Sequence, residues 1–149
     1  MDNNEILKLE NQLCFSIYAA SRAITKVYRP FLDKIGITYP QYLVMLVLWE
    51  NSTMTLKDLS KKLYLDSGTL TPLLKRLERM ELIKRGRSKE DERVLCISIT
   101  DKGLEMKEQA LLIPGCVLGA INTDIMFLAQ LKNEVDKLID DITKQGEVF

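Results

Sequence analysis

Residues 55–100, TLKDLSKKLYLDSGTLTPLLKRLERMELIKRGRSKEDERVLCISIT, constrain the fold more than any other stretch. Two short runs of helical periodicity come first. Two runs that alternate as strands do follow, joined by a highly charged connector. Thr55 caps a helix over Leu56–Leu63, with Asp58 at its third position as an approximate capping box. Tyr64 and Leu65 make the turn. Asp66 or Ser67 caps a second helix that runs to about Met80, with Leu70, Leu73, Leu74 and Leu77 on its apolar face. Pro72 fits poorly there, because proline removes a backbone donor and is best placed at N1 of a helix starting at Thr71. An earlier start with a distorted first turn is expected. Strands at 82–85 and 93–98 flank a hairpin tip, GRSKEDE. Helix, turn, helix and a basic-tipped hairpin is how a small protein sets one helix in a major groove and a loop on the flanking duplex.

The charge distribution agrees with a polyanionic partner although the net charge is zero. Residues 57–102 carry 12 basic and 8 acidic side chains, whereas residues 103–149 carry 4 and 8. A chance gradient over a solvated surface fits the same numbers. At 149 residues the chain is expected to be one domain able to bury a core without disulfides or metal. Its longest apolar run falls far short of the ~20 residues a membrane helix needs. The polar start, MDNNEILKLENQ, is unlike a secretory signal, so a cytoplasmic protein with no membrane partner is expected.

The chain has no histidine, and its three cysteines, Cys14, Cys96 and Cys116, are far apart. No metal site, cofactor or catalytic triad is expected from that inventory. Scattered cysteines in a reducing compartment are small core residues or redox-active thiols. On residue chemistry alone, Cys14 is read as a core cysteine in preference to a reactive one, and Cys96 is read as structural.

Around the central stretch the chain reads as helices. Residues 5–35 carry an apolar recurrence at three- and four-residue steps, interrupted by Pro30 and ended by Gly36. The stripe is broad enough to cover a second surface, for which a partner subunit is the simplest candidate. Thr38 caps a helix to about Glu50 that is apolar nearly all round, and residues 51–54 form a turn. A helix from Asp101 to about Ile113 is broken or bent at Pro114 and Gly115, with residues 116–121 as its continuation. Asp124 caps the last helix, whose stripe of Leu128, Leu131, Val135, Leu138, Ile139 and Ile142 also wants a helical partner. The expected fold class is mainly α with a small β wing. A winged helix-turn-helix occupies about 38–100, and dimerisation helices occupy about 5–35 and 101–145.

The candidate DNA contacts lie on the second helix of the pair and on the hairpin. Ser67, Thr69 and Thr71 present hydroxyls near a helix N-terminus, where phosphates and base edges can be met. Lys75 and Arg76, with Arg79, reach toward the backbone. Arg85, Arg87, Lys89 and Arg93 flank the acidic Glu90, Asp91 and Glu92. An arginine in a narrow minor groove reads DNA shape, and a neighbouring carboxylate can orient it. An ordinary amphipathic helix and a solvated hairpin fit the same patterns.

The runs YLDSGTLTPLLKRLE and DERVLCISITDKG closely resemble the MarR family of winged-helix repressors. The run ENQLCFSIYAASRAITKVYRPFLDKIGITYPQYL resembles its organic-hydroperoxide-sensing branch, and the similarity spans residues 9–119. The resemblance implies an intertwined, all-helical homodimer binding double-stranded operator DNA, with organic peroxide as the oxidant. It places Asp91 and Arg93 at the wing tip and Ser67, Thr69 and Arg76 on the reading helix. It makes Cys14 the peroxidatic cysteine, with Tyr28 and Tyr39 engaging it across the dimer interface and Tyr18 in the same pocket. A thiolate attacks a peroxide oxygen, and phenols can donate to it. Cys116 lies in the region of the resolving cysteine found in two-cysteine members, which would join Cys14 of the other subunit in a disulfide. A small interface residue is the alternative there. Two other functions remain open: a repressor responding to a small lipophilic or phenolic ligand, and a thiol peroxidase.

Overall fold

Helix α3 (Tyr39–Asn51) is the hub of the fold, because its sequence is apolar nearly all round. Tyr42, Val44, Met45, Val47, Leu48 and Trp49 are all buried. Gln41 is buried too, and its Oε1 accepts the Thr38 backbone N–H at 2.9 Å, satisfying one orphan donor at the helix start. The computed structural model describes residues 3–146 and 148–149. The expected single domain of residues 1–149 thus extends over Met1, Asp2 and Glu147, which lie outside the described residues.

Before α3 come a turn of helix α1 (Asn3–Ile6), a 3-10 turn (Leu9–Asn11) and helix α2 (Leu13–Ile35). The single helix expected over residues 5–35 is therefore broken before Leu13. Gln12 is extended at that break, and its side chain donates to the carbonyls of Ile6 and Lys8. α2 includes Pro30 and stops at Gly36, whose φ of 76° is the left-handed conformation that favours glycine.

After α3 the chain forms β1 (Thr53–Thr55), α4 (Leu56–Leu63), α5 (Ser67–Arg79), β2 (Ile83–Arg87) and β3 (Leu95–Ile99). Residues 53 and 54 were expected in a turn and instead make a third strand with Thr55, which also caps α4 as expected. The sheet order is β1-β3-β2, antiparallel throughout, with Thr55 opposite Cys96 on one side and Gly86 opposite Cys96 on the other. The hairpin strands lie one or two residues later than expected, so the tip shifts to residues 88–94. The bond from Ser88 N–H to Val94 O at 2.8 Å closes its base.

The helix-turn-helix is set by local chemistry. Thr55 Oγ1 accepts the Asp58 N–H at 3.1 Å to start α4. Tyr64 takes the left-handed conformation to end it, and Leu65 N–H returns to Ser60 O. Asp66, not Ser67, caps α5: Oδ1 accepts the Thr69 N–H at 2.8 Å and Oδ2 accepts the Thr69 hydroxyl at 2.9 Å. α5 takes the early start and carries Pro72 in its interior. Leu70, Leu74 and Leu77 are 0–1% exposed, and each fully buried leucine is worth about 2 kcal/mol of transfer free energy.

Helix α6 (Asp101–Ala110) ends three residues earlier than expected, and α7 (Ile113–Ile121) starts afresh. Pro114 falls in the first turn of α7, where a missing donor costs nothing, so it opens a helix as well as ending one. Gly103 of α6 has its Cα against the wing: a Cβ there would lie 2.3 Å from Leu82 O. Trp49 Nε1 donates to Gly103 O at 2.8 Å, tying the hub helix to this joint. The last helix, α8 (Ile125–Thr143), has no buried residue. Among the described residues no single helix is long and apolar enough to cross a membrane.

Candidate functional site

Two sets of residues emerge, one on α5 and the wing, the other on the long helices. On α5, Ser67, Thr69, Lys75, Arg76 and Arg79 are exposed and Thr71 is half-buried. The hydroxyls differ in freedom. That of Thr69 is committed to Asp66, and that of Thr71 donates to Ser67 O at 2.6 Å. The Thr69 N–H and hydroxyl hold the Asp66 carboxyl below the ordinary carboxylate range. A carboxylate thus occupies the amides at the start of α5, which leaves attraction for phosphate to the cations further along.

At the tip, Arg93 stands out with its side chain 91% exposed. Its Nε donates to Asp91 Oδ1 at 3.2 Å, and its backbone N–H donates to the same oxygen at 3.0 Å. One carboxylate therefore fixes both the backbone and the direction of the arginine. Arg87 Nη1 donates to Arg93 O at 3.4 Å across the hairpin, and Lys89 is exposed beside them. Arg85 is placed differently. Its guanidinium is turned back onto Glu78 of α5, which it holds below the usual carboxylate range. Glu78 had no role in the sequence reading, although the opposite charges seven residues apart across a helix end were a visible signal.

The second set is divided along α2. Cys14 is exposed in the first turn, and Tyr18, one turn on, is also exposed with the Arg22 guanidinium 5.4 Å from its ring centre. Tyr28 and Tyr39 are brought together, ring centres 4.9 Å apart, and Tyr42 joins them at 5.8 and 6.3 Å. Sequence reasoning passed over Tyr42, which looks like core. Burial pushes the phenols of Tyr28, Tyr39 and Tyr42 up, with neighbouring phenols adding to the effect for the last two. All three hydroxyls therefore stay protonated at neutral pH and can donate.

Cys14 and Tyr28 are 14 residues apart on one helix, which is about 21 Å of axial rise. Within one chain the thiol cannot reach the tyrosine cluster. Cys116, on α7, is exposed and unpaired, as is Cys14; Cys96 is half-buried in β3. α7 packs on α2. Among the described residues, no group of three or more histidine, cysteine or acidic side chains could hold a metal.

A capped helix-turn-helix, a basic helix face and an arginine-tipped wing define a winged-helix DNA-binding protein. A family model described as the transcriptional regulator SarA/Rot matches residues 26–110. The organic hydroperoxide resistance transcriptional regulator of Bacillus subtilis is 54% identical over 140 residues, covering 94% of this chain and 95% of that one. AbfR of Staphylococcus epidermidis has been solved in several states. Its reduced, DNA-bound structure superposes with a TM-score of 0.81 at 36% identity, covering 97% and 99% of the two chains. Its disulfide-formed structure gives 0.60 at 37% identity, covering 95% and 94%. AbsC, a MarR family regulator of Streptomyces coelicolor, shares the fold, with a TM-score of 0.77 at 21% identity over 93% and 97% of the chains. The chain belongs to the SarA/Rot family of MarR-like winged-helix transcriptional regulators, in the branch of the organic hydroperoxide regulators.

Proposed function

We propose that the protein is a dimeric repressor that holds operator DNA in its reduced form and releases it when Cys14 is oxidised by an organic peroxide. The observation that carries this is the separation along α2. An exposed thiol lies on an apolar face, about 21 Å from a cluster of protonated phenols on the same chain. A second subunit, packed with its helices against the first, supplies the phenols that one chain cannot. Tyr28 and Tyr39 of one subunit then donate to the sulfur of the other, with Tyr18 lining the same pocket. Phe15, Ile17 and Ile24 are exposed on α2 and suit an organic hydroperoxide better than hydrogen peroxide. The break before Leu13 also puts Cys14 at the positive end of the α2 dipole, where developing negative charge is accommodated.

The chemistry balances in two steps. The Cys14 thiolate attacks the terminal peroxide oxygen, forming a sulfenic acid and, after protonation, releasing an alcohol. The thiol of Cys116 on the other subunit then attacks that sulfur, forming an intersubunit disulfide and releasing water. The names and states of the relatives support this reading: a hydroperoxide resistance regulator, and AbfR both reduced on DNA and disulfide-formed. This chain superposes better on the reduced, DNA-bound AbfR than on the disulfide-formed one. On DNA, Ser67, Thr69, Thr71, Lys75 and Arg76 face the major groove or its phosphates. Arg93, aimed by Asp91, enters the flanking minor groove with Arg87 and Lys89 beside it.

Cys14→Ser is expected to bind operator as the wild type does and to ignore cumene hydroperoxide in a mobility-shift titration. Normal release by that variant would remove Cys14 from the sensor role. Non-reducing electrophoresis after peroxide should show a dimer band that disappears in Cys116→Ser; a band that survives removes Cys116 from the resolving role. A second reading, release by a small lipophilic acid, is favoured by an open groove of about 600 Å³ beside α2, lined by Arg22, Arg29 and Tyr39 among others. Ligand-driven release in a cysteine-free protein would select it.

A further inference from the structure

By charge, Arg85 belongs with the basic residues of the hairpin, yet its side chain is spent inside the protein. Nε and Nη2 both donate to Glu78 Oε2, at 3.0 and 2.8 Å. The backbone N–H of Arg85 donates to the other oxygen, Oε1, at 3.1 Å. The Arg85 side chain is 23% exposed, against 91% for Arg93 at the tip. Glu78 is in the last turn of α5, and Arg85 is the third residue of β2. β2 is an edge strand, so its outward donors have no strand to pair with. Glu78 takes one of those donors and the arginine of the same residue together.

The link between the two elements is short and turned by Glu81, a non-glycine residue with φ of 62°. Its ends are pinned: Leu82 N–H donates to Leu77 O at 3.0 Å, and the Thr100 hydroxyl donates to Glu81 O at 2.6 Å. These contacts fix where the wing leaves α5. Further out, β1 holds the inner strand β3 at Thr53–Thr55, and the Glu78 clamp ties the outer edge strand β2 to α5.

We propose that Glu78 and Arg85 are a positioning pair that sets the pitch of the wing against the recognition helix, and that Arg85 makes no contact with DNA phosphate itself. The proposal rests on the reading that α5 and the wing tip grip the same duplex. A helix in the major groove and an arginine in the adjoining minor groove must arrive together, and a wing free to rock would lose the second contact while keeping the first.

Electrostatics alone predicts the opposite result, which makes the test sharp. Removing a carboxylate from a DNA-facing module should tighten binding to a polyanion. The clamp predicts that Glu78→Ala weakens binding, by about two- to fivefold for an ion pair at this exposure. Full-length protein would be titrated against a duplex that the wild type itself selects from a random pool. Affinity would be followed over a salt series, with hydroxyl-radical footprints. Glu78→Ala is expected to lose the wing's minor-groove protection, keep the recognition-helix protection and lower the salt slope by the wing cations it releases. Arg85→Ala should match it, and the double variant should be no worse than either single one. Arg85→Lys keeps the charge but loses the fork, and should behave like Arg85→Ala.

The proposal is overturned if Glu78→Ala binds as tightly as wild type or more tightly. It is equally overturned if Arg85→Ala lowers the salt slope by about one while Arg85→Lys restores it, since Arg85 is then a phosphate contact. Should Glu78→Ala melt at the assay temperature, Glu78→Gln, which retains an acceptor for the Arg85 N–H, and Arg85→Lys carry the test. Failure of the underlying reading looks different. The wild type would then show no wing protection, and Arg93→Ala would leave its footprint unchanged.

Discussion

The winged module and the helical arms follow different rules of completion. The module, from α3 to the start of α6, closes on itself: Leu48, Leu59, Leu70, Leu74, Leu77 and Leu82 are buried, the starts of α4 and α5 are capped and the base of the hairpin tip is closed by a backbone bond. The arms do not. Ile6, Leu7, Leu9, Leu13, Phe15, Ile17 and Tyr18 at one end, and Ile125, Met126, Phe127 and Leu131 at the other, are all exposed. α8 has the apolar stripe of a core helix and no core to enter. Contiguous apolar surface of that extent marks an association site, so one chain carries a finished reader on unfinished supports. Cys14, Cys116 and Tyr18 all lie on the unfinished part; under the proposed mechanism a covalent change there would alter how two readers are spaced and leave the reader's own core intact.

The largest expected effect attacks that division directly. Leu131→Glu puts a charge on the exposed stripe of α8 and should abolish the dimer while leaving the module folded. Operator affinity is then expected to fall by about 10²–10⁴-fold, because two linked half-site contacts become one. Sedimentation and mobility shift check this together. A variant that remains dimeric, or a monomer that binds undiminished, breaks the comparison.

The module was legible in the sequence because its signals are local. Thr55 with Asp58 declares its cap within four residues, the second cap narrows to Asp66 or Ser67, and alternation marks the hairpin. What escaped depends on distance. β1 is three residues long and forms only because β3 has a free edge for Thr53–Thr55, a fact settled 40 residues downstream. Pro114 carries the same local signal whether it ends one helix or starts another; the packing of α7 on α2 goes with a new start. The break before Leu13 rests on the Gln12 side chain reaching back to two carbonyls, which periodicity cannot register. Arg85 shows the same limit at the site. Composition groups it with Arg87 and Arg93, and only the fold turns it toward Glu78.

Within the module, stability should respond to single atoms. Leu74 is 1% exposed on the buried face of α5, and Leu74→Ala is expected to cost about 2–5 kcal/mol in denaturant unfolding. Truncating an arm residue such as Leu131 to alanine should lower the melting temperature in a way that depends on protein concentration, which the Leu74 variant's loss does not share. Gly103→Ala comes next. Its Cβ would lie 2.3 Å from Leu82 O, a backbone atom that can move only with the joint of α6 and the wing. Overpacking of that kind costs about 1–3 kcal/mol, and Trp49, bonded to Gly103 O, offers a fluorescence signal for the displaced joint. A neutral Gly103→Ala would mean that the joint is looser than the rest of the module.

The smallest effect separates the two regions by pH. Asp66 and Glu78, both in the module, have carboxyls held below their ordinary range, by the Thr69 N–H and hydroxyl and by the Arg85 side chain respectively. A group whose folded pKa is depressed stabilises the fold above its unfolded pKa, and that contribution is lost as pH falls through the folded value. Asp66→Asn retains an acceptor for the Thr69 N–H but cannot ionise, so it should be less stable than wild type at neutral pH. The gap should close as pH is lowered through and below the usual carboxylate range, as read in melting temperatures from pH 7 to about pH 3. Because both carboxylates contribute to the module, acid should loosen the reader even where the arms remain associated. A gap between Asp66→Asn and wild type that widened on acidification would mean that the Asp66 charge opposes the fold it caps.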